Sequence, residues 1–368
     1  IWLYYDKLYK GGDNGEYLFR QAAKRADGIT HCYVIDHSTR YYRRLRRDGY
    51  RHLLRPNSLW LRLHTLNAEQ FCVTHRNKLR YLGFKVHGRQ FFANLVRAKT
   101  VATSHGLVID HVPKSAGQQR DNAVLHFCAS PRERDALLLP DYGFAAANVK
   151  LLGIPRFDGL RDEQRDFVLL APTWRVGVLP PMAEGDDRYL DTFPETAYFQ
   201  TFNALIHHPA LLDGLARRGR RLKFLLHPVF AANKPHFQPP PGVDVIRGDT
   251  EADYVELMSR AAVMVTDYSG IQYDFAYLRK PLVYYHPPEL PHHYKPSQVF
   301  SYDEDAFGPV LTNPDDVVAE ALAAVDRGEP TAEHRARMNA FFAFDDRGNA
   351  ERIYQALIAS SQPAGRRS

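Results

Sequence analysis

Continuous apolar runs that stop on turn residues restrict this chain more than any other feature. Ten of them read as strands: THCYVID (30–36), EQFCVTH (69–75), KTVATS (99–104), VLHFCAS (124–130), VKLLGI (149–154), DFVLLAPT (166–173), LKFLLHP (222–228), VDVIRG (243–248), AAVMVTD (261–267) and KPLVYY (280–285). A strand with one wet face alternates apolar and polar residues. Unbroken Val/Ile/Leu-rich runs instead suit parallel strands covered on both faces. Helical stretches lie between them, at 14–25, 39–48, 131–139, 197–218, 251–260, 270–279, 314–326, 331–343 and 348–360. This alternation predicts an α/β chain of two doubly wound domains. The boundary falls near 155–166, after LLGIPRFDGL, giving domains over 1–160 and 161–368. In folds of this type the last helices pack back across the first domain.

With 368 residues and 45% hydrophobic content the chain can fill two ordinary cores. It begins at Ile1 rather than Met, which reads as a fragment or a processed chain. No apolar stretch reaches the roughly 18 to 20 residues that cross a bilayer, and no signal peptide is visible. The expectation is a cytoplasmic protein, or one peripheral on the inner face of the cell membrane. Cys32, Cys72 and Cys128 sit far apart in strand-like runs. That spacing suits buried, reduced thiols rather than a disulfide framework or a zinc site.

The net charge is +6, with basic residues clustered in RYYRRLRRDGYRHLLR (40 to 55) and RRGRR (217 to 221). Such surfaces attract anionic lipid, phosphorylated substrates or nucleic acid, and they also occur as plain solvated helix faces. No aromatic-plus-basic RNA signature and no zinc-finger spacing accompanies the charge, which argues against nucleic acid. The long loop from Val176 to Pro194 reads as a lid or a binding surface.

Several strand exits carry chemistry. In VTDYSGIQYDFAYL (265–278) a strand ends in Thr266-Asp267 and a helix is due near Ser269. Ser269 can cap that helix, or the same amides with Gly270 can seat a phosphate. Asp274 lies one turn on, within reach of a ribose hydroxyl or of solvent. In TSHGLV (103–108), His105-Gly106 follows a strand at once, where a histidine can act as a general base or merely end a turn. In LLHP (225–228), His227 occupies the matching edge, and Pro228 stops the ladder there. LLAPTWR (169–175) offers the Thr173 hydroxyl and the Arg175 cation, for phosphate or for a salt bridge. GGDNGEYLF (11–19) is a Gly-rich turn with Asp13 or Asn14 capping a helix. Neither histidine has metal-site spacing, so no metal and no cofactor are expected.

In order along the chain, the stretches IWLYYDKLYKGGDNGEYLF, His105-Gly106, LLGIPRFD, LAPTWR, His227-Pro228, TDYSGIQYDFAYLRKPLVYY, FGPVLTNPDDV and FDDRGNAERIYQAL form a set. That set resembles the CDP-glycerol glycerophosphotransferase family of teichoic acid and capsule polymer synthesis. The resemblance implies a GT-B arrangement, two Rossmann-like domains facing across a cleft. It implies a CDP-glycerol or CDP-ribitol donor, glycerol phosphate being the first expectation, and a polyol-phosphate polymer or lipid-linked acceptor at an anionic membrane surface. CMP would leave. By the family pattern His105 is the base, His227 contacts the donor phosphates, and Ser269-Gly270 cradles the pyrophosphate, with Asp267, Asp274, Thr173 and Arg175 around the nucleotide. Gly106, Asp13 and Asn14 fall on the acceptor side. The chain departs from the family where its turn reads Ser-Gly instead of Ser-Ser, and in LVIDHVPKSAGQQRDN after Gly106. Two other readings share these features: a GT-B glycosyltransferase using a nucleotide sugar, and a non-catalytic module of a polymer-assembly protein.

Overall fold

The structure is a computed structural model that describes residues 1–74, 95–118, 123–179, 188–292 and 294–361. It divides into two compact units, Ile1–Gly159 with Phe341–Ser368, and Leu160–Ala340. Each is an α/β layer structure around one parallel sheet.

The first unit contains β1 (Trp2–Tyr5), β2 (His31–Val34), β3 (Leu53–Leu54), β4 (Gln70–Val73), β5 (Lys99–Ala102), β6 (Ala123–Cys128) and β7 (Val149–Leu151). Their spatial order is β3-β2-β1-β4-β5-β6-β7. Every pairing is parallel, with Trp2 opposite His31 on one side of β1 and Gln70 on the other. The chain therefore runs outward from β1 to β3, then returns to β4 and runs the other way. This puts the topological switch between β1 and β4, at whose carboxyl ends open sheets bind ligands.

Both faces of β1 are covered, because successive side chains point to opposite sides. Trp2 and Tyr4 pack with Leu18 and Phe19 of α1 (Asn14–Ala22) and Leu45 of α2 (Arg40–Arg47), while Leu3 and Tyr5 pack with Leu61 of α3 (Leu59–Leu66). Burying an apolar side chain such as Leu18 or Phe19 contributes about 1.5–3 kcal/mol. The helix Asn349–Ser361 closes the first face through Ile353 and Leu357. Asp158 fixes its start, accepting from the Asn349 and Ala350 amides at 2.9 and 2.8 Å. Carboxylates are favoured at that end of a helix by the unpaired amides and the dipole.

The second unit contains β8 (Phe167–Leu170), β9 (Arg221–Leu226), β10 (Val243–Arg247), β11 (Ala261–Thr266), β12 (Leu282–Tyr285) and β13 (Val310–Leu311), in the order β10-β9-β8-β11-β12-β13. Its switch lies between β8 and β11. Val168, Leu170, Phe224, Val263 and Val265 form the centre of its core.

The structure differs from the sequence reading in several elements: β3, α3 and β13 have no counterpart in it, and three further differences bear on the argument. β1 occupies the middle of its sheet although its four residues, WLYY, are too few to declare a period. The stretch 197–218 is two helices, Ala197–Ile206 and Pro209–Arg217, because Pro209 has no N–H to continue the ladder. The helix expected over 270–279 covers only Gln272–Tyr277. Of the predicted loop Val176–Pro194, residues 180–187 lie outside the described residues, as do 119–122 of the segment after Gly106. The three cysteines are buried and unbridged. Among the described residues, no helix is long and apolar enough to cross a membrane.

Candidate active-site residues in each unit

In the first unit, three segments converge at the switch. The β1–α1 loop brings Asp13, the exit of β5 brings His105, and the turn Pro155–Gly159 brings Arg156. Asp13 is the N-cap of α1, accepting from the Asn14 amide at 2.9 Å. Its carboxylate also engages His105 Nδ1 through Oδ2 and Arg156 Nη1 through Oδ1, the latter at 2.9 Å. Arg156 Nη1 donates as well to the His105 carbonyl. The Arg156 side chain is 5% exposed and His105 is 50% exposed, so a buried cation stands behind a ring that reaches the surface.

Local backbone geometry delivers the histidine. Ser104 has φ +42°, a left-handed conformation that costs a non-glycine residue on the order of 1 kcal/mol or more. Asn14 holds that turn by donating to the Thr103 and Ser104 carbonyls at 3.1 and 2.7 Å. The Ser104 hydroxyl also meets His126 at 3.2 Å. Behind Asp13, buried Asp6 accepts from the Gly15 and Glu16 amides, each at 2.9 Å, and from the Thr74 and Tyr33 hydroxyls at 2.6 and 2.8 Å. Burial pushes the Asp6 carboxyl up to about 7, with the charge of Asp13 adding to the rise and the two hydroxyls opposing it. Gly15 is required here, since a Cβ would stand 2.7 Å from both Asp6 Oδ1 and the Tyr5 carbonyl. Gly106 is not required by packing: a Cβ there meets only Arg156 Nη2, at 3.9 Å.

Asn14 needs a correction. Expected on the acceptor side, it is fully buried, and its Oδ1 accepts from the Arg156 amide at 2.9 Å. Both ends of its amide are used on backbone, so it ties three segments together and does not face a ligand.

In the second unit, residues at the ends of β8, β9, β11 and β12 form the corresponding edge. His227 caps the short 3₁₀ turn Pro228–His236, and its Nδ1 accepts from the Val229 amide at 3.2 Å. Its ring stacks on Trp174, with centroids 6.3 Å apart. Asp267 is fully buried and accepts from the Thr173 amide at 2.8 Å. Arg175 Nη2 lies 2.8 Å from Asp267 Oδ2, a charge contact whose direction is not that of a good hydrogen bond. The same guanidinium donates to the Leu290 carbonyl, at 3.2 Å from Nε and 3.0 Å from Nη2. Burial raises the Asp267 carboxyl, and Arg175 acts against that rise.

Arg175, Asp267 and Asp274 therefore sit differently from the sequence expectation. Arg175 is 4% exposed and committed to Asp267 and Leu290, because a buried arginine and a buried carboxylate each need the other. The pair draws the exits of β8 and β11 together. Asp274 is buried rather than solvent-facing, at 3% exposure. Ser269 does not cap the helix: Ile271 holds the cap position, and the Ser269 carbonyl accepts from the Gln272 amide at 3.1 Å. Gly270 is exposed, and a Cβ added there meets nothing within 4 Å.

Two groups escaped the sequence reading. Arg156 was hidden within LLGIPRFD, where nothing local marks an arginine destined for Asp13. Tyr268 is sandwiched between His286 and His292, with centroids 4.0 and 4.2 Å away, and Arg175 lies 5.2 Å from its ring. Burial lowers His286 to about 4, the nearby Arg175 charge adding to the effect. The aromatic density of KPLVYYHPPE was the available signal. Among the described residues, no group of three or more His, Cys, Asp or Glu is arranged to hold a metal ion.

The minor teichoic acid biosynthesis protein GgaB of Bacillus subtilis (strain 168) is 26% identical over 362 residues, which is 97% of this chain. The chain spans 39% of the length of GgaB. The structure of the wall teichoic acid polymerase TagF matches with a TM-score of 0.66 at 13% identity, covering 98% of this chain and 90% of that one. A putative UDP-N-acetylglucosamine 2-epimerase from Listeria monocytogenes matches at 0.57 and 13% identity, covering 98% and 95%. These likenesses give the fold class, α/β of the GT-B type. The profile of the family described as CDP-glycerol:poly(glycerophosphate) glycerophosphotransferase matches residues 1–359, and the chain belongs to that family.

Proposed function

We propose that the protein transfers a polyol phosphate, glycerol phosphate first among them, from a CDP-polyol to an acceptor hydroxyl in teichoic acid-like or capsular polymer synthesis. One observation carries the reading: Nδ1 of the two strand-edge histidines has opposite partners. At His105 it faces a carboxylate, which takes an N–H and leaves the lone pair of the neutral ring on Nε2. At His227 it accepts an amide N–H, which leaves the proton on Nε2. The first tautomer is a base, and the second is a donor to phosphate oxygen.

The reaction then runs as a displacement at phosphorus. His105 Nε2 takes the proton of the acceptor hydroxyl, and the oxygen attacks the β-phosphorus of the CDP-polyol. A new P–O bond forms as the bond to the CMP oxygen breaks, and CMP leaves with that electron pair. The proton stays on the imidazolium beside Asp13 until solvent removes it. His227 Nε2–H and the Ser269-Gly270 segment stabilise charge on the phosphates. Phosphoryl transfer depends mainly on such positioning and electrostatics. Support for the donor class comes from family membership and from a TagF variant soaked with CDPG, a fold match with a TM-score of 0.67 and 12% identity.

The acceptor is read as a polyol-phosphate polymer or a lipid-linked chain, met at an anionic membrane surface. Exposed Arg43, Arg46 and Arg47 on α2 support that reading. Each basic residue near an anionic surface is worth about 1 kcal/mol.

The test follows CMP release from CDP-glycerol and CDP-ribitol, with and without a polyol-phosphate acceptor. Acceptor-dependent release, lost in both His105→Ala and His227→Ala, is expected. Absence of release together with absence of CDP-polyol binding by calorimetry overturns it. Sugar transfer from a nucleotide sugar would replace it with the glycosyltransferase reading.

A further inference from the structure

We propose that Arg156 is a positioning residue for the base, holding the Asp13–His105 pair in its working geometry; this rests on the proposed role of His105. A positioning group must touch what it positions at more than one point. Arg156 does so at both ends of the pair. Its Nη1 meets Asp13 Oδ1 at 2.9 Å and also donates to the backbone carbonyl of His105. Its own amide donates to Asn14 Oδ1 at 2.9 Å, and Asn14 in turn holds the Ser104 carbonyl, next to His105. The three partners lie 143, 51 and 142 residues away in sequence, so this contact set exists only in the folded unit.

Charge explains why an arginine is needed. Asp13 points Oδ2 at an imidazole that is neutral before proton transfer and cationic after it. Across Oδ1 it must have a partner that does not compete for the histidine proton. A guanidinium never gives up its own proton and can donate to two acceptors in one plane. Lysine could supply charge but not the fork.

The neighbouring parts of the motif have separate duties. Asp158, two residues on, serves the start of the helix Asn349–Ser361. Asp13 keeps its capping bond from the Asn14 amide without Arg156. The arginine can therefore be altered with the helix anchors in place.

The experiment combines kinetics with imidazole nitrogen NMR on the 368-residue chain labelled with ¹⁵N-histidine. The His105 resonances are assigned by their loss in His105→Ala. In the unaltered protein the neutral ring should be protonated at Nδ1. Arg156→Gln should give a mixture of tautomers and reduce kcat for CMP release on the order of 100-fold, the penalty of a misplaced reacting group. KM for CDP-glycerol should stay within about two-fold, and Arg156→Lys should recover about ten-fold of the lost rate, a partial rescue because a lysine restores charge without the fork. Folded Arg156→Gln with an unchanged tautomer and unchanged kcat overturns the proposal. Should Arg156→Gln not fold, Arg156→Lys is read alone: a pure Nδ1 tautomer with full kcat overturns it, and a partial loss with the mixed tautomer supports it. The NMR result does not depend on the reaction. A protein that releases no CMP but shows the tautomer change would fail the transferase reading and keep the positioning one.

Discussion

His105 at the exit of β5 presents Nδ1 to the carboxylate of Asp13, the N-cap of α1, across 92 residues of sequence. The cap residue of one crossover helix thus sets the proton position on a histidine two strands away in the sheet. The same carboxylate serves a helix, an imidazole and a guanidinium, so its substitutions separate stability from chemistry.

Asp13→Asn should keep the cap, since asparagine caps as well as aspartate. It should lose the preference for Nδ1–H and lower kcat by roughly 100- to 10,000-fold, the range of a histidine held in the wrong tautomer. Loss of the charged hydrogen bond to Arg156 should cost about 1.5–3 kcal/mol. Steady-state CMP release with urea unfolding checks both, and unchanged kcat in a folded variant would refute the assignment.

Arg175 separates two roles. As the partner of buried Asp267, its replacement by Met should destabilise the second unit by about 3–5 kcal/mol, because an uncompensated carboxylate remains inside. A residue that merely touched the donor phosphates would raise KM and leave the urea midpoint alone. Asp267→Asn on the Arg175→Met background should restore part of the stability.

Gly270 is open. Its exposed position accepts a side chain without contact within 4 Å, so Gly270→Glu should change stability by less than about 0.5 kcal/mol. A carboxylate beside the donor phosphates should raise KM for CDP-glycerol about ten-fold or more through like-charge repulsion. An unaltered KM removes Ser269-Gly270 from the donor seat.

Acid should weaken the second unit through His286. Its folded value, near 4, lies below the ordinary 6.5. Below 6.5 the unfolded chain takes a proton that the folded chain refuses, so stability is lost as pH falls from 6.5 towards 4. His286→Phe keeps a ring against Tyr268 and should flatten that part of the urea-midpoint profile. Asp6 acts with the opposite sign in the first unit. Its carboxyl is raised from 3.8 to about 7, so its contribution to stability declines as pH rises through that interval.

Most strands of both sheets were legible because a parallel strand buried on both faces must be continuously apolar, whatever surrounds it; β1, β3 and β13, of four, two and two residues, were too short to read. VMVTD and FLLHP announce a strand and its exit within a few residues, and each strand-edge histidine could be named from its position alone. Local sequence could not show which groups those exits meet. Arg175 looks like a phosphate ligand in LAPTWR and becomes the partner of Asp267 only once β8 and β11 lie side by side. Asp13, His105 and Arg156 come from three separate segments, and hydrogen bonds span about 3 Å whatever the chain separation. Residue type and strand order are properties of the sequence. The partner of Nδ1 on His105 and on His227, and hence which ring keeps a lone pair on Nε2 and which a proton, belongs to the folded units alone.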